Sequence, residues 1–188
     1  MLTGMAGTGK TFIALYLAFK DLIKGKLSSI EIVRSTVPSR DMGFLPGTLQ
    51  EKLAAYEDPY RQVVNNLFGR DDAWAILHKK GYVNMVSTSY LRGVTYKNVA
   101  IIFDEIQNCT MQELDTVITR VGPGCRVILC GDIKQNDLIT GKSASGMPSF
   151  EKVIYSMQEF ESVEFDIKDI VRSGLVKSYL LAKHRLGL

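Results

Sequence analysis

The segment that most constrains this chain is Gly4-Met5-Ala6-Gly7-Thr8-Gly9-Lys10-Thr11, which fits the phosphate-loop pattern GxxxxGK[ST] and stands directly before an apolar, helix-like run. Its glycines permit a tight turn whose N–H groups converge on one point, and the N-terminus of the following helix adds partial positive charge there. A Gly-rich turn without a ligand is the alternative; the helix that follows argues against it. A loop of this kind is entered from a strand and left by a helix, which commits the chain to an α/β fold. Only Met1, Leu2 and Thr3 precede Gly4, whereas strands usually take about five or six residues. The first strand is therefore expected to be stubby, or truncated by loss of an upstream segment.

The rest of the chain alternates strand and helix. Residues 11–24 are apolar nearly all round, as in a helix buried under a sheet, and Ile30, Ile32 and Val33 form a strand ending at Arg34 and Ser35. Residues 36–47 read as a loop. Thr48 and Glu51 make a capping box for a helix through Tyr56, and a second helical stretch covers 59–77 with an interruption near Gly69. Strands follow at 82–87 and at 99–103, the latter a continuous apolar run of the kind covered on both faces. Thr110 and Glu113 are a second capping box, for a helix to Arg120. Residues 126–130 form another buried strand, 148–160 a helix, 162–166 an edge strand and 169–185 a closing helix. The expected architecture is one α/β domain over residues 1–188, with a mostly parallel sheet and helices on both faces.

Three strand ends carry the chemistry. In the loop, Lys10 is placed to reach β- and γ-phosphates and the Thr11 hydroxyl to hold magnesium. Asp104 and Glu105 follow the apolar strand directly and emerge where open α/β sheets bind ligands. Asp104 suits the magnesium shell and Glu105 the base that orients an attacking water, with a helix-capping acid pair as the alternative. Gly131-Asp132-Ile-Lys-Gln135 ends the next strand in the same way. Gln135 is a candidate contact to the γ-phosphate or its water, or else a solvated amide of a plain turn. Arg172 is a candidate arginine finger reaching a neighbouring subunit's γ-phosphate, or an ordinary surface ion pair. Arg34, Arg40 and Arg92 are loop charges that could touch phosphate or nucleic acid.

These segments, together with Gly43-Phe-Leu-Pro-Gly-Thr-Leu-Gln-Glu-Lys52, Tyr90-Leu-Arg-Gly-Val-Thr95 and Phe103-Asp-Glu-Ile-Gln-Asn108, resemble the PhoH-like family of P-loop ATPases, whose motifs are similar to those of superfamily 1 helicases. The resemblance covers nearly the whole chain. It implies a RecA-like fold, ATP and Mg2+ as cofactors, magnesium handling at Asp104, and coupling through Gln107, Asn108 and Gln135. Asp169-Ile-Val-Arg172 resembles the family's closing arginine-bearing motif. Similar proteins carry a suggested role on RNA or single-stranded nucleic acid. A helicase places its nucleotide between two RecA-like units and this length provides one, so motor action implies a homo-oligomer such as a hexameric ring. A nucleotide-dependent regulatory module with little turnover is the second reading. A small-molecule kinase would need an arginine-bearing lid that the sequence does not display.

Composition narrows the partners less. A net charge of +3 is too small to identify a nucleic-acid binder by itself. Cys109, Cys125 and Cys130 lack paired spacing and are expected as small core residues in a reducing compartment. No apolar stretch approaches the ~20 residues that span a bilayer, and a signal-peptide pattern is absent, so a cytoplasmic location without a membrane partner is expected.

Overall fold

The apolar runs become strands because every second residue can be buried on each face of one sheet. The computed structural model describes residues 1–35, 49–88, 91, 93–132 and 146–186, apart from the side chains of residues 49–55 and 184. In chain order the elements are β1 (Leu2–Gly4), α1 (Lys10–Ile23), β2 (Ser29–Arg34), α2 (Leu49–Phe68), α3 (Ala73–Lys79), β3 (Val83–Ser87), β4 (Val99–Asp104), α4 (Met111–Ile118), β5 (Arg126–Gly131), α5 (Met147–Tyr155), β6 (Val163–Phe165) and α6 (Gly174–Arg185). The six strands form one sheet in the order β3-β2-β4-β5-β1-β6, and all neighbouring pairs are parallel. β1 is the short strand anticipated from its three preceding residues, and β6 is the edge.

The pleat divides the core in two. Ile30, Ile32, Ala100, Ile102 and Cys130 lie on the face covered by α1, α2 and α3. Val33, Val99, Ile101, Phe103 and Leu129 lie on the face covered by α4 and α5. All six residues of β4 are buried, as the two-sided run predicts. Among the described residues no helix is long and apolar enough to cross a membrane.

Three expectations need correction. α2 runs unbroken from Leu49 to Phe68 with Pro59 inside it, where two pieces were expected on either side of that proline. An interior proline costs a helix about 3 kcal/mol. Fully burying Tyr60 and Val64, which are 2% and 0% exposed, returns about 1.5–3 kcal/mol for each, enough together to offset it. Packing therefore overrides the local signal, and the break falls at Gly69, as expected. The closing helix starts at Gly174, because Asp166 and Asp169 cap a 3-10 turn over Ile167–Asp169. Asp166 Oδ1 accepts from the Lys168 N–H at 2.6 Å, and Asp169 Oδ2 accepts from the Asp166 N–H at 2.8 Å. Finally, α1 buries Ala14, Leu15, Ala18 and Phe19 but exposes Phe12, Tyr16 and Ile23, so it is covered on one side only. The Thr48 half of the first capping box lies outside the described residues.

The second capping box forms and does more than start α4. Glu113 Oε2 accepts from the Thr110 N–H and hydroxyl, each at 2.9 Å. Glu113 Oε1 accepts from Ser35 at 2.6 Å and Thr88 at 2.9 Å. One carboxylate thus ties the ends of β2 and β3 to the start of α4. Burial alone would raise its pKa, but the hydrogen bonds from Ser35, Thr110 and Thr88 outweigh it and hold the group below its ordinary 4.5. A carboxyl depressed in the folded state gives stability that is full above its unfolded pKa and is lost as pH falls through the lower folded value. Glu113→Gln should cost about 1 kcal/mol at neutral pH. Urea denaturation of the two chains should show that gap closing below pH 4.5; a gap that persists into acid would show that the carboxylate charge is not what holds the three ends.

Candidate functional site

Gly4 ends β1 and Lys10 begins α1, so residues 5–9 must reverse the chain within one short turn. Gly7 and Gly9 take φ of 82° and 84°, a region that side chains disfavour. Gly7 is also crowded: a Cβ there would lie 2.9 Å from Arg172 Cγ. The Gly7 carbonyl accepts from the Val171 N–H at 3.1 Å, which fastens the segment before α6 onto the loop. Thr8 closes the turn by donating to the Met5 carbonyl at 2.9 Å. The Lys10 ammonium donates to the Gly4 and Met5 carbonyls at 2.6 and 2.8 Å. Burial lowers its pKa, opposed by the carboxylates of Asp132 and Asp104.

The last residue of β4 supplies the central acid. Asp104 Oδ2 accepts from the Thr11 hydroxyl and from the Tyr60 hydroxyl, both at 3.0 Å, and Oδ1 accepts from the Glu105 N–H at 3.0 Å. Burial raises the Asp104 pKa and the neighbouring Glu105 charge adds to it, while the three hydrogen bonds pull the other way. Glu105 has left-handed backbone angles, φ 55° and ψ 40°, a strained choice for a residue with a side chain and one found disproportionately at functional sites. The kink turns the chain into a 3-10 turn, Ile106–Asn108, and brings Gln107 back over the acid. Gln107 Nε2 donates to Glu105 Oε2 at 2.6 Å, and Gln107 Oε1 accepts from the Asp132 N–H at 3.1 Å. Gln107 therefore spans the ends of β4 and β5. Gly131 makes room for it, since a Cβ there would sit 2.6 Å from Ile106 Cγ1 and 2.8 Å from Gln107 Oε1.

A cavity of about 760 Å³ opens between these groups, at the C-terminal ends of β1, β4 and β5. Residues 6–11, Asp104, Glu105 and Arg172 line it, so the sequence-derived set converges on one place. Gly4 and Met5 stand behind it and contribute the carbonyls that hold Lys10. Gln135 lies outside the described residues, as do Arg40 and Arg92. Arg34 places its guanidinium 5.1 Å from the Tyr56 ring centroid. Asn108, grouped with Gln107 by the resemblance, buries an amide oxygen with no partner among the described residues. Arg172 lies against the phosphate loop of its own chain. Burial pushes up the thiols of Cys109 and Cys130, which are core residues.

Sequence reasoning missed Tyr60, Phe12 and Val171, whereas Asp132, named at its strand end, does line the cavity. Phe12 and Val171 add apolar wall to the cavity, as does Val63. Tyr56, Tyr60 and Val63 share the i, i+4, i+7 stripe of α2, a pattern that marks an inward face but not an acid partner. A hydroxyl and a carboxylate 3.0 Å apart at the cavity wall are hard oxygen donors of the sort magnesium takes. Among the described residues no group of three or more His, Cys, Asp or Glu side chains could hold a metal ion.

A family-wide sequence profile described as PhoH-like protein matches residues 1–183. The chain is similar to a PhoH-like protein of Bacillus subtilis (32% identity, 95% of this chain, 56% of the relative) and to a PhoH-like protein of Mycobacterium leprae (34%, 98% of this chain, 54% of the relative). It is also similar to Protein PhoH of Escherichia coli K12 (35%, 96% of this chain, 51% of the relative). The chain spans about half the length of these relatives.

The close fit at the end of β5 gives a direct test. Gly131→Ala should lower stability by about 1–3 kcal/mol in chemical denaturation, the usual cost of overpacking. Unchanged stability would mean that Ile106 and Gln107 are not held against this strand.

Proposed function

We propose that this chain, which belongs to the PhoH-like family of P-loop nucleotide-binding proteins, hydrolyses ATP with magnesium. The observation that carries the reading is the convergence of Lys10, Thr11, Asp104 and Glu105 on one cavity. The loop N–H groups and the positive end of α1 bind the phosphates. Lys10, now shared between two loop carbonyls, transfers its donors to the β- and γ-phosphate oxygens. Thr11 and Asp104 hold the magnesium ion, which neutralises charge on the phosphate oxygens when bound. Glu105 orients a water and accepts its proton as the water oxygen attacks the γ-phosphorus and the bond to ADP breaks. Gln107 fixes the Glu105 carboxylate through their 2.6 Å hydrogen bond. Arg172 stands on the loop of its own chain and stabilises the developing phosphoryl charge in cis, without borrowing from a neighbour. Gln135 follows Asp132 in sequence and is assigned the γ-phosphate contact named above.

The cavity bears less directly on what the turnover drives. We assign remodelling of RNA or single-stranded nucleic acid, with the second half of the motor supplied by other copies of the chain in a ring. The competing reading is a nucleotide-switched binding module with little turnover, in which the Gln107 bond to Glu105 Oε2 serves to link the ends of β4 and β5.

Phosphate release separates the two. Glu105→Gln should lower kcat by roughly 10²–10⁴ while nucleotide still binds, and Lys10→Ala should weaken nucleotide binding at least about tenfold. Equal release from the natural chain and Glu105→Gln would favour the switch. In the same assay, single-stranded RNA or DNA should stimulate release less as salt rises, with sedimentation showing a ring. Stimulation by neither polymer, or a monomer throughout, would remove the motor.

A further inference from the structure

Tyr60 is a buried side chain beside this site that lies outside the phosphate-loop segment. It enters from the middle of α2, is 2% exposed, and places its hydroxyl 3.0 Å from Asp104 Oδ2. A carboxylate offers about four acceptor positions, two per oxygen. On Asp104 the Thr11 and Tyr60 hydroxyls take both positions of Oδ2, and the Glu105 N–H takes one of Oδ1. Among the described residues this leaves a single acceptor position on Asp104, and its direction is set by the other three. The three donors come from α1, α2 and the backbone after β4, so the carboxylate plane is fixed from three sides.

We propose that Tyr60 is a positioning residue for the magnesium site: by clamping Oδ2, its hydroxyl aims the remaining Asp104 lone pair at the ion's shell. This rests on the reading of Thr11 and Asp104 as the magnesium-holding pair. Thr11 donates its one proton to Asp104 and turns its lone pairs to the ion, so it holds Oδ2 from the ion side alone and leaves the α2 side to Tyr60. The backbone N–H of Glu105 holds only the other oxygen. Without the Tyr60 hydroxyl the buried carboxylate regains rotational freedom and has an unpaired acceptor. The neighbouring turns of α2 reinforce the placement. Tyr56, four residues earlier, lies against the Arg34 guanidinium at the end of β2, where Arg34 is the register partner of Asp104. Val63, three residues later, lines the cavity. The stripe that buries α2 therefore also fixes the acid, and Pro59 is tolerated next to the residue that does so.

The test uses the affinity of a fluorescent, non-hydrolysable ATP analogue, measured with magnesium and with EDTA. Tyr60→Phe keeps the ring and removes only the oxygen. It should cut the magnesium-dependent gain in affinity by roughly tenfold, as for loss of a hydrogen bond to a charged group, and leave the EDTA affinity near that of the natural chain. Val64→Ala, on the same helix and fully buried, removes packing alone and should leave the gain intact. Trp74 emission checks the fold of each variant, since this indole is buried in the same core cluster as Tyr60 and Val64. A gain unchanged in Tyr60→Phe, or lost equally in Val64→Ala, would overturn the proposal.

An unsubstituted chain gives a second readout. With 3-fluorotyrosine incorporated, the resonance that disappears in Tyr60→Phe belongs to Tyr60, the buried one among the described tyrosines. It should shift when magnesium joins the nucleotide complex, and a stationary resonance would contradict the clamp. Absence of any magnesium-dependent gain in the natural chain is a different failure, which removes the magnesium reading of Asp104 and this inference with it.

Discussion

A buried carboxylate needs partners, and the way Asp104 obtains them organises this molecule. Its three hydrogen bonds come from Thr11 on the first helix, Tyr60 on the second and the backbone of Glu105. An acid with 6% exposure and no such donors would cost several kcal/mol. The requirement therefore fixes how α1 and α2 sit on the sheet relative to the end of β4. The same contacts place the phosphate loop, since α1 begins at Lys10 and the loop is whatever connects it to β1. Core packing supplies the driving force for this arrangement, but it is indifferent to a rotation of α1 by a few degrees; the acid is not.

Two further links close the site. Between the loop strand β1 and the acid strand β4 lies β5, which ends on a glycine. That glycine admits Gln107, which joins Glu105 to the Asp132 backbone and so lets the end of one strand feel the end of the next. On the other side the chain returns from the edge strand through a capped 3-10 turn and lays Val171 and Arg172 on Gly7. Glycine is needed at both places for room: at Gly131 for a side chain, at Gly7 for a passing strap. The candidate site is thus assembled from five separated stretches, each held by a backbone or buried side-chain bond and not by surface charge.

How much of this the sequence disclosed depends on the range of the interaction. The loop, the Asp104-Glu105 pair and the Thr110–Glu113 box were legible because each is contiguous or spans one helical turn, and local stereochemistry dictates its form. The alternation of strand and helix was legible for the same reason, through the two-sided runs at β2, β4 and β5. Pro59 misled because its local penalty is smaller than the burial of Tyr60 and Val64, which depends on strands that both precede and follow the helix in sequence. Asp169 misled because a short capped turn and a helix start share the same residues. Tyr60 and the cis placement of Arg172 could not be read at all: they join positions 44 and 165 residues apart, and a single sequence holds no record of which distant residues meet. Gln135 and residues 36–48 carry much of the family resemblance but lie outside the described residues.

The account stands on the turn between β1 and α1 enclosing a triphosphate beside Asp104. Amide hydrogen exchange across residues 4–13 measures this directly, because phosphate oxygens would accept from the loop N–H groups themselves. Adding a non-hydrolysable ATP analogue with magnesium should slow exchange at Gly7, Gly9, Lys10 and Thr11 well beyond any change in the strands behind them. Exchange at those four amides that stays the same at saturating analogue would contradict the account.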